Sequence, residues 1–94
     1  MSLTGNLFIN LTTGSLNTAV GHLALSVATT CTANTAVGYF ALGNGVVTGQ
    51  NNTAVGKEAG RDITSGEDNT CIGKSAGEPL TTGTNNLLLG DDAG

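Results

Sequence analysis

The stretch GNGVVTGQNNTAVG, Gly43 to Gly56, ends in five residues that the chain writes again and again. The asparagines that open the copies are Asn17, Asn34, Asn52, Asn69 and Asn86, at steps of 17, 18, 17 and 17 residues. After them come TAVG, TAVG, TAVG, TCIG and LLLG. A fixed period of this length marks a repeat architecture, in which one unit cannot bury its own apolar face and stacks on the next.

The unit extends in both directions. Three residues after each glycine stands Ala24, Ala41, Ala59, Ala76 or Ala93, followed by Leu25, Leu42, Gly60, Gly77 or Gly94. Three residues before each asparagine stands Gly14, Cys31, Gly49, Gly66 or Gly83, preceded by a hydroxyl (Thr13, Thr30, Thr48, Ser65, Thr82). Two places earlier is an aliphatic position: Leu11, Ala28, Val46, Ile63, Leu80. Length varies at a corner, where GNG over Gly43–Gly45 accounts for the 18-residue step; surface loops tolerate such changes. GNLFIN, Gly5 to Asn10, reads as a degenerate copy. The repeats therefore fill residues 1–94 as one domain, with a degenerate N-terminal unit over 5–16, and both ends read as parts of a longer array.

Thr and Val two residues apart suit a short strand. Its period of two sends Thr18 and Val20 one way and Ala19 the other. Gly21, Gly38, Gly56, Gly73 and Gly90 supply positive φ at a sharp corner. No 3.6-residue stripe survives the glycine spacing, so helices are not expected. The pattern predicts an all-β parallel β-roll or β-prism, its coils rising by about 4.8 Å. In-register columns of Asn17, Asn34, Asn52, Asn69 and Asn86 would hold it together. The Val20, Val37, Val55, Ile72 and Leu89 column would fill the chain's own core. The small column Ala19, Ala36, Ala54 and Cys71 would then face a close neighbour, a second and third copy around an axis, plugged at its ends by Phe8 and Leu88. The expected state is an intertwined or side-by-side homotrimer.

Composition agrees with a need for partners. Aromatics are 3% of the chain and glycines number 15, so a lone chain buries only a thin core. The net charge is -4 with no basic stripe, so nucleic acid is not the expected partner. No apolar run approaches the ~18 residues of a membrane span, and the N-terminus lacks a signal-peptide pattern. No Lys, Arg, Asp or Glu precedes Lys57.

The pattern NTAVGxxAL…TTGxxNTAVG, covering Gly5 to Gly94, resembles the repeats of bacteriophage tail-fibre and tailspike proteins. It is also similar to the head repeats of trimeric autotransporter adhesins, where a SVAIG-like strand recurs. The resemblance implies a homotrimeric rod displayed on the outside of a virion or cell. In the phage case it would be made in the host cytoplasm, and it would act as a stiff structural and receptor-binding segment. Thr18, Thr35, Thr53 and Thr70 occupy a place that adhesins fill with Val, and the unit is longer than theirs; both departures favour the fibre.

No enzyme is expected. One histidine forms no triad, and no phosphate-loop motif or metal spacing occurs, so neither cofactor nor metal is expected. Cys31 and Cys71 sit at different repeat offsets and read as free thiols. His22 and Tyr39 hold a variable position whose other occupants are Lys57, Lys74 and Asp91. They read as outward residues, with a contact to a host-surface glycan or receptor as the functional alternative. Glu58 is expected to offset repulsion between Lys57 and Lys74. The acidic residues otherwise read as a solvated face, and the sequons Asn10-Leu11-Thr12 and Asn51-Asn52-Thr53 as chance. Two alternatives stand apart. A left-handed β-helix of six-residue repeats fits badly, since 17 is not a multiple of six. An ice-binding β-solenoid would use regular hydroxyl rows, for which Thr12-Thr13, Thr29-Thr30 and Thr81-Thr82 are the better candidates.

Overall fold

A computed structural model describes residues 15–27 and 30–94. Five three-residue strands form one parallel sheet: β1 (Thr18–Val20), β2 (Thr35–Val37), β3 (Thr53–Val55), β4 (Thr70–Ile72) and β5 (Leu87–Leu89). Spatial order equals chain order, so each coil lies on the previous one as a β-solenoid. The register is strict, with Thr18 opposite Thr35, Thr35 opposite Thr53, and Thr53 opposite Thr70. No helix occurs among the described residues. The segment before each asparagine forms no second strand among the described residues. Extended pairing on that side reduces to isolated bridges linking Ser15, Thr32 and Gln50.

Each corner is a pair of overlapping turns. Ala24, Ala41, Ala59, Ala76 and Ala93 donate their N–H to the glycine carbonyl three residues earlier, at 3.1–3.2 Å. The third position of this turn holds Leu23, Phe40, Glu58, Ser75 or Asp92, at φ 58–64°. Leu16, Ala33, Asn51, Asp68 and Asn85, just before each asparagine, share that left-handed conformation at φ 57–61°. Such a conformation costs a non-glycine residue about 1–2 kcal/mol. It is held by bonds to the preceding coil, such as Glu58 N–H to Tyr39 O at 2.8 Å and Asp68 N–H to Gln50 O at 3.0 Å.

The core reverses the expected orientation of the strands. Ala19, Ala36, Ala54 and Cys71 point inward and are buried. Val20, Val37, Val55, Ile72 and Leu89 point outward, with Val20 at 47% and Leu89 at 59% exposure. The physical reason lies across the coil. Leu25 and Leu42, from the corner, fill the interior of the first two coils and leave room for only a methyl group from the strand. In later coils their places are taken by Gly60 and Gly77, and Ile63, Leu80 and Leu88 provide the bulk instead. A Cβ on Gly60 would stand 3.0 Å from Ile63 Cδ1 and 3.2 Å from Leu42 Cδ2. Large and small positions thus exchange between coils at roughly constant volume, as close packing requires. The small central residue is therefore explained without a neighbouring chain. Leu88 packs on this same core rather than plugging an axis between chains, and Phe8 lies outside the described residues.

The aliphatic position needs a second correction. Val47 is fully buried, whereas Val46 is 50% exposed. Asn44 N–H bonds Arg61 O at 3.0 Å, and Thr48 and Gly49 both donate to Thr64 O at 2.9 and 3.0 Å. Four residues lie between Asn44 and Gly49, against three between their counterparts in the next repeat, Asp62 and Gly66. The extra residue is absorbed there, which turns Val46 out and Val47 in. Leu11 and Ala28, assigned to the same position, lie outside the described residues.

Candidate functional site

The asparagine column is the interior polar feature of the stack. Asn34, Asn52 and Asn69 are at most 1% exposed. The side-chain Oδ1 accepts the main-chain N–H of the next asparagine: Asn17 from Asn34 at 2.9 Å, Asn34 from Asn52 at 2.8 Å, Asn52 from Asn69 at 3.1 Å and Asn69 from Asn86 at 3.0 Å. The Nδ2 groups of Asn17, Asn34, Asn52 and Asn69 donate to turn carbonyls one coil on, those of Cys31, Gly49, Gly66 and Gly83, at 2.8–2.9 Å. The carboxamide carries one acceptor and one donor group in a plane, which is what this corner requires. Aspartate would lack the donor and would stack charge on charge. Asn17, Asn34, Asn52, Asn69 and Asn86 thus form one hydrogen-bonded column through the stack.

The outward face of the sheet is the first candidate surface. It presents two parallel columns, Thr18, Thr35, Thr53, Thr70 and Leu87 beside Val20, Val37, Val55, Ile72 and Leu89. None of these side chains is charged. Strand spacing and rise per residue make the face roughly 19 Å by 10 Å.

The second candidate is the variable position after each corner glycine. His22 and Tyr39 do come together there: their rings stack with centroids 5.8 Å apart and planes 13° apart. Phe40 tilts against Tyr39 at 5.6 Å. Lys57, Lys74 and Asp91 continue this exposed column. Glu58 does not serve the lysines as expected. It pairs with Arg61 at 3.6 Å, and Arg61 also meets Asp62 at 3.2 Å and Glu78 at 3.7 Å. Burial raises the pKa of Asp62, but hydrogen bonds from Asn44 and Arg61 and the charge of Arg61 outweigh it, so the carboxyl lies below its usual range. Its stabilising contribution is present above the unfolded carboxylate pKa and is lost as pH falls through the lowered folded value. Urea midpoints of wild type and Asp62→Asn should therefore differ at neutral pH and converge in acid.

Cys31 and Cys71 are both free and buried, and burial pushes both thiols up in pKa. Cys31 Sγ also lies 3.6 Å from Asn17 Oδ1, within the asparagine column. Among the described residues no group of acidic, histidine or cysteine side chains is arranged to hold a metal. A hollow of about 340 Å³, lined by Gly77, Pro79, Leu80, Asn86, Leu88 and Gly94, is the end of the core at the last coil.

No family model, curated protein or solved structure matches the chain. The functional reading therefore rests on these surfaces. Sequence reasoning missed the outward Thr/Val face, because it placed the larger side chain inside.

Proposed function

We propose that this chain is a structural, non-enzymatic segment of a fibre of the bacteriophage-tail type, exposed outside the virion. In it, copies of the chain associate side by side as a homotrimer. The observation that carries this reading is the uncharged outward sheet face with its continuous aliphatic column, Val20, Val37, Val55, Ile72 and Leu89. Parallel copies would pack this column rung against rung. Three copies, rather than two, come from the resemblance to fibre and adhesin repeats. An adhesin head is the neighbouring alternative, and the same face serves it equally.

Magnitude sets how strong the association is. The face is about 200 Å² from strand dimensions, whereas a standard interface covers about 800 Å² per partner. Its regularity and lack of charge support the reading; its area does not. Affinity should be modest for this span and rise with every coil added. Light scattering at high concentration is expected to give a multiple of the single-chain mass. Val37→Lys with Val55→Lys should weaken association by at least about a hundredfold, since it buries unpaired charge. A wild type that stays a single chain at its solubility limit overturns the reading.

One observation favours a second reading. Thr18, Thr35, Thr53 and Thr70 form an in-register hydroxyl column on the outward sheet face; of the rows expected, Thr30, Thr81 and Thr82 are exposed, and Thr12, Thr13 and Thr29 lie outside the described residues. Evenly spaced hydroxyls beside methyl groups on a flat sheet are the surface an ice-binding solenoid requires. Thermal hysteresis in a single-chain sample would select that reading; its absence in a self-associating sample would remove it.

A further inference from the structure

The variable column has an order that the fibre reading does not use. Phe40 N–H bonds His22 O at 2.9 Å, Glu58 N–H bonds Tyr39 O at 2.8 Å, Ser75 N–H bonds Lys57 O at 2.8 Å and Asp92 N–H bonds Lys74 O at 2.8 Å. His22, Tyr39, Lys57, Lys74 and Asp91 therefore occupy consecutive rungs of one outward line, which spans about 19 Å over four steps and ends on the Asp91 carboxylate, one rung beyond Lys74.

Among the described residues, the line gathers the Lys and Arg charge of the chain that no ion pair engages. Its cations are Lys57, Lys74 and Arg61. Arg61 is engaged by Glu58, Asp62 and Glu78. Neither lysine joins an ion pair among the described residues. Two ammonium groups one rung apart repel by roughly 1 kcal/mol even in water. An anion bridging them would relieve that repulsion. Beside them, Tyr39 is held between His22 and Phe40, so ordering its phenol on a ligand costs little.

We infer that this line binds an acidic polysaccharide. Its carboxylates lie on Lys57 and Lys74, and a neighbouring sugar hydroxyl bonds the Tyr39 phenol beside His22. An extended polymer suits a straight line of contacts better than a compact anion does. Moderate charge per ring suits a chain of net charge -4, which repels densely charged polymers. The inference deepens the host-contact part of the fibre reading and rests on it.

The test uses the full 94-residue chain at low salt, with polygalacturonate as probe and dextran and polyphosphate as controls. Saturable binding of polygalacturonate is expected, with none of dextran, and added salt should weaken it. Lys57→Ser with Lys74→Ser should weaken it about tenfold, and Tyr39→Ala a few-fold. Three outcomes overturn the inference: no binding of polygalacturonate, unchanged binding by the double lysine variant, or polyphosphate bound as tightly and with indifference to Tyr39→Ala. Light scattering on the same samples separates this from self-association: chains that associate but ignore the polymer sink the polysaccharide site alone.

Discussion

Asn52→Ala is expected to cost about 3–5 kcal/mol of unfolding free energy. The side chain donates to Gly66 O at 2.9 Å and accepts from Asn69 N at 3.1 Å and Asn69 Nδ2 at 3.0 Å. Truncation strands Gly66 O and Asn69 N–H in the stack, each worth about 1–3 kcal/mol when buried without a partner, while Asn69 Nδ2 keeps its bond to Gly83 O; the terms are not fully additive. Globular domains hold roughly 0.05–0.15 kcal/mol per residue, so the loss is a large fraction of the stability of a chain this size. Urea unfolding followed by circular dichroism measures it. Asn51→Gly, next door, is the control. Asn51 is exposed and already at φ 59°, a conformation that glycine adopts freely, so the change should stay within about 0.5 kcal/mol. Equal losses from the two substitutions would show that the asparagine column contributes nothing special. Because coils touch only their neighbours, hydrogen exchange in Asn52→Ala should rise first in β3 and β4.

Gly38→Ala should have the other large effect, and a matched variant separates its two causes. Gly38 has φ 127°, and a Cβ there would stand 2.6 Å from Gly56 O and 2.7 Å from Gly56 C. The obstructing atoms are main chain of the next coil, so no rotamer change relieves the clash and adjacent rungs must part. Gly90 shares the unusual φ, at 114°, but a Cβ there meets nothing within 4 Å. Gly90→Ala should cost only the conformational strain, about 1–3 kcal/mol. Gly38→Ala should exceed about 4 kcal/mol, the range in which such chains fail to accumulate folded. Similar melting of the two variants would mean that the rungs are not as closely stacked as Gly38 and Gly56 imply.

The repeat made much of this fold legible. Recurrence of Asn-Thr-Ala-Val-Gly located each strand of the described residues, its neighbours and its register, because parallel in-register stacking puts like residues together. The corner glycines announced their positive φ. What could not be read was which side of the strand is inside. Thr-Ala-Val alternates identically whichever face is buried, and the ordinary preference for burying the larger side chain pointed the wrong way. That preference assumes space opposite the strand, and here Leu25, Leu42, Val47 and Ile63 already occupy it. A signal was present in the replacement of Leu25 and Leu42 by Gly60 and Gly77 just where Ile63, Leu80 and Leu88 appear. It becomes readable once these positions are seen to share one narrow interior.

The surface site was less legible. The column of His22 and Tyr39 could be placed outside, since its residue types change from coil to coil. That Lys57 and Lys74 stay unpaired could not. Glu58, one residue along, looked like a counter-ion until the turn carried it towards Arg61. A left-handed residue swings its side chain away from the line of its neighbours, and several non-glycine residues with this geometry were beyond the reach of a reading that reserved it for glycine.

The residue absorbed between Asn44 and Gly49 has a practical meaning. The stack behaves there like a layered crystal that heals a line defect within half a layer, since the asparagine before β3 is back in place. Foreign peptide could be spliced into this bend and carried on the outside of the rod, with the layers above and below unaware of the cargo.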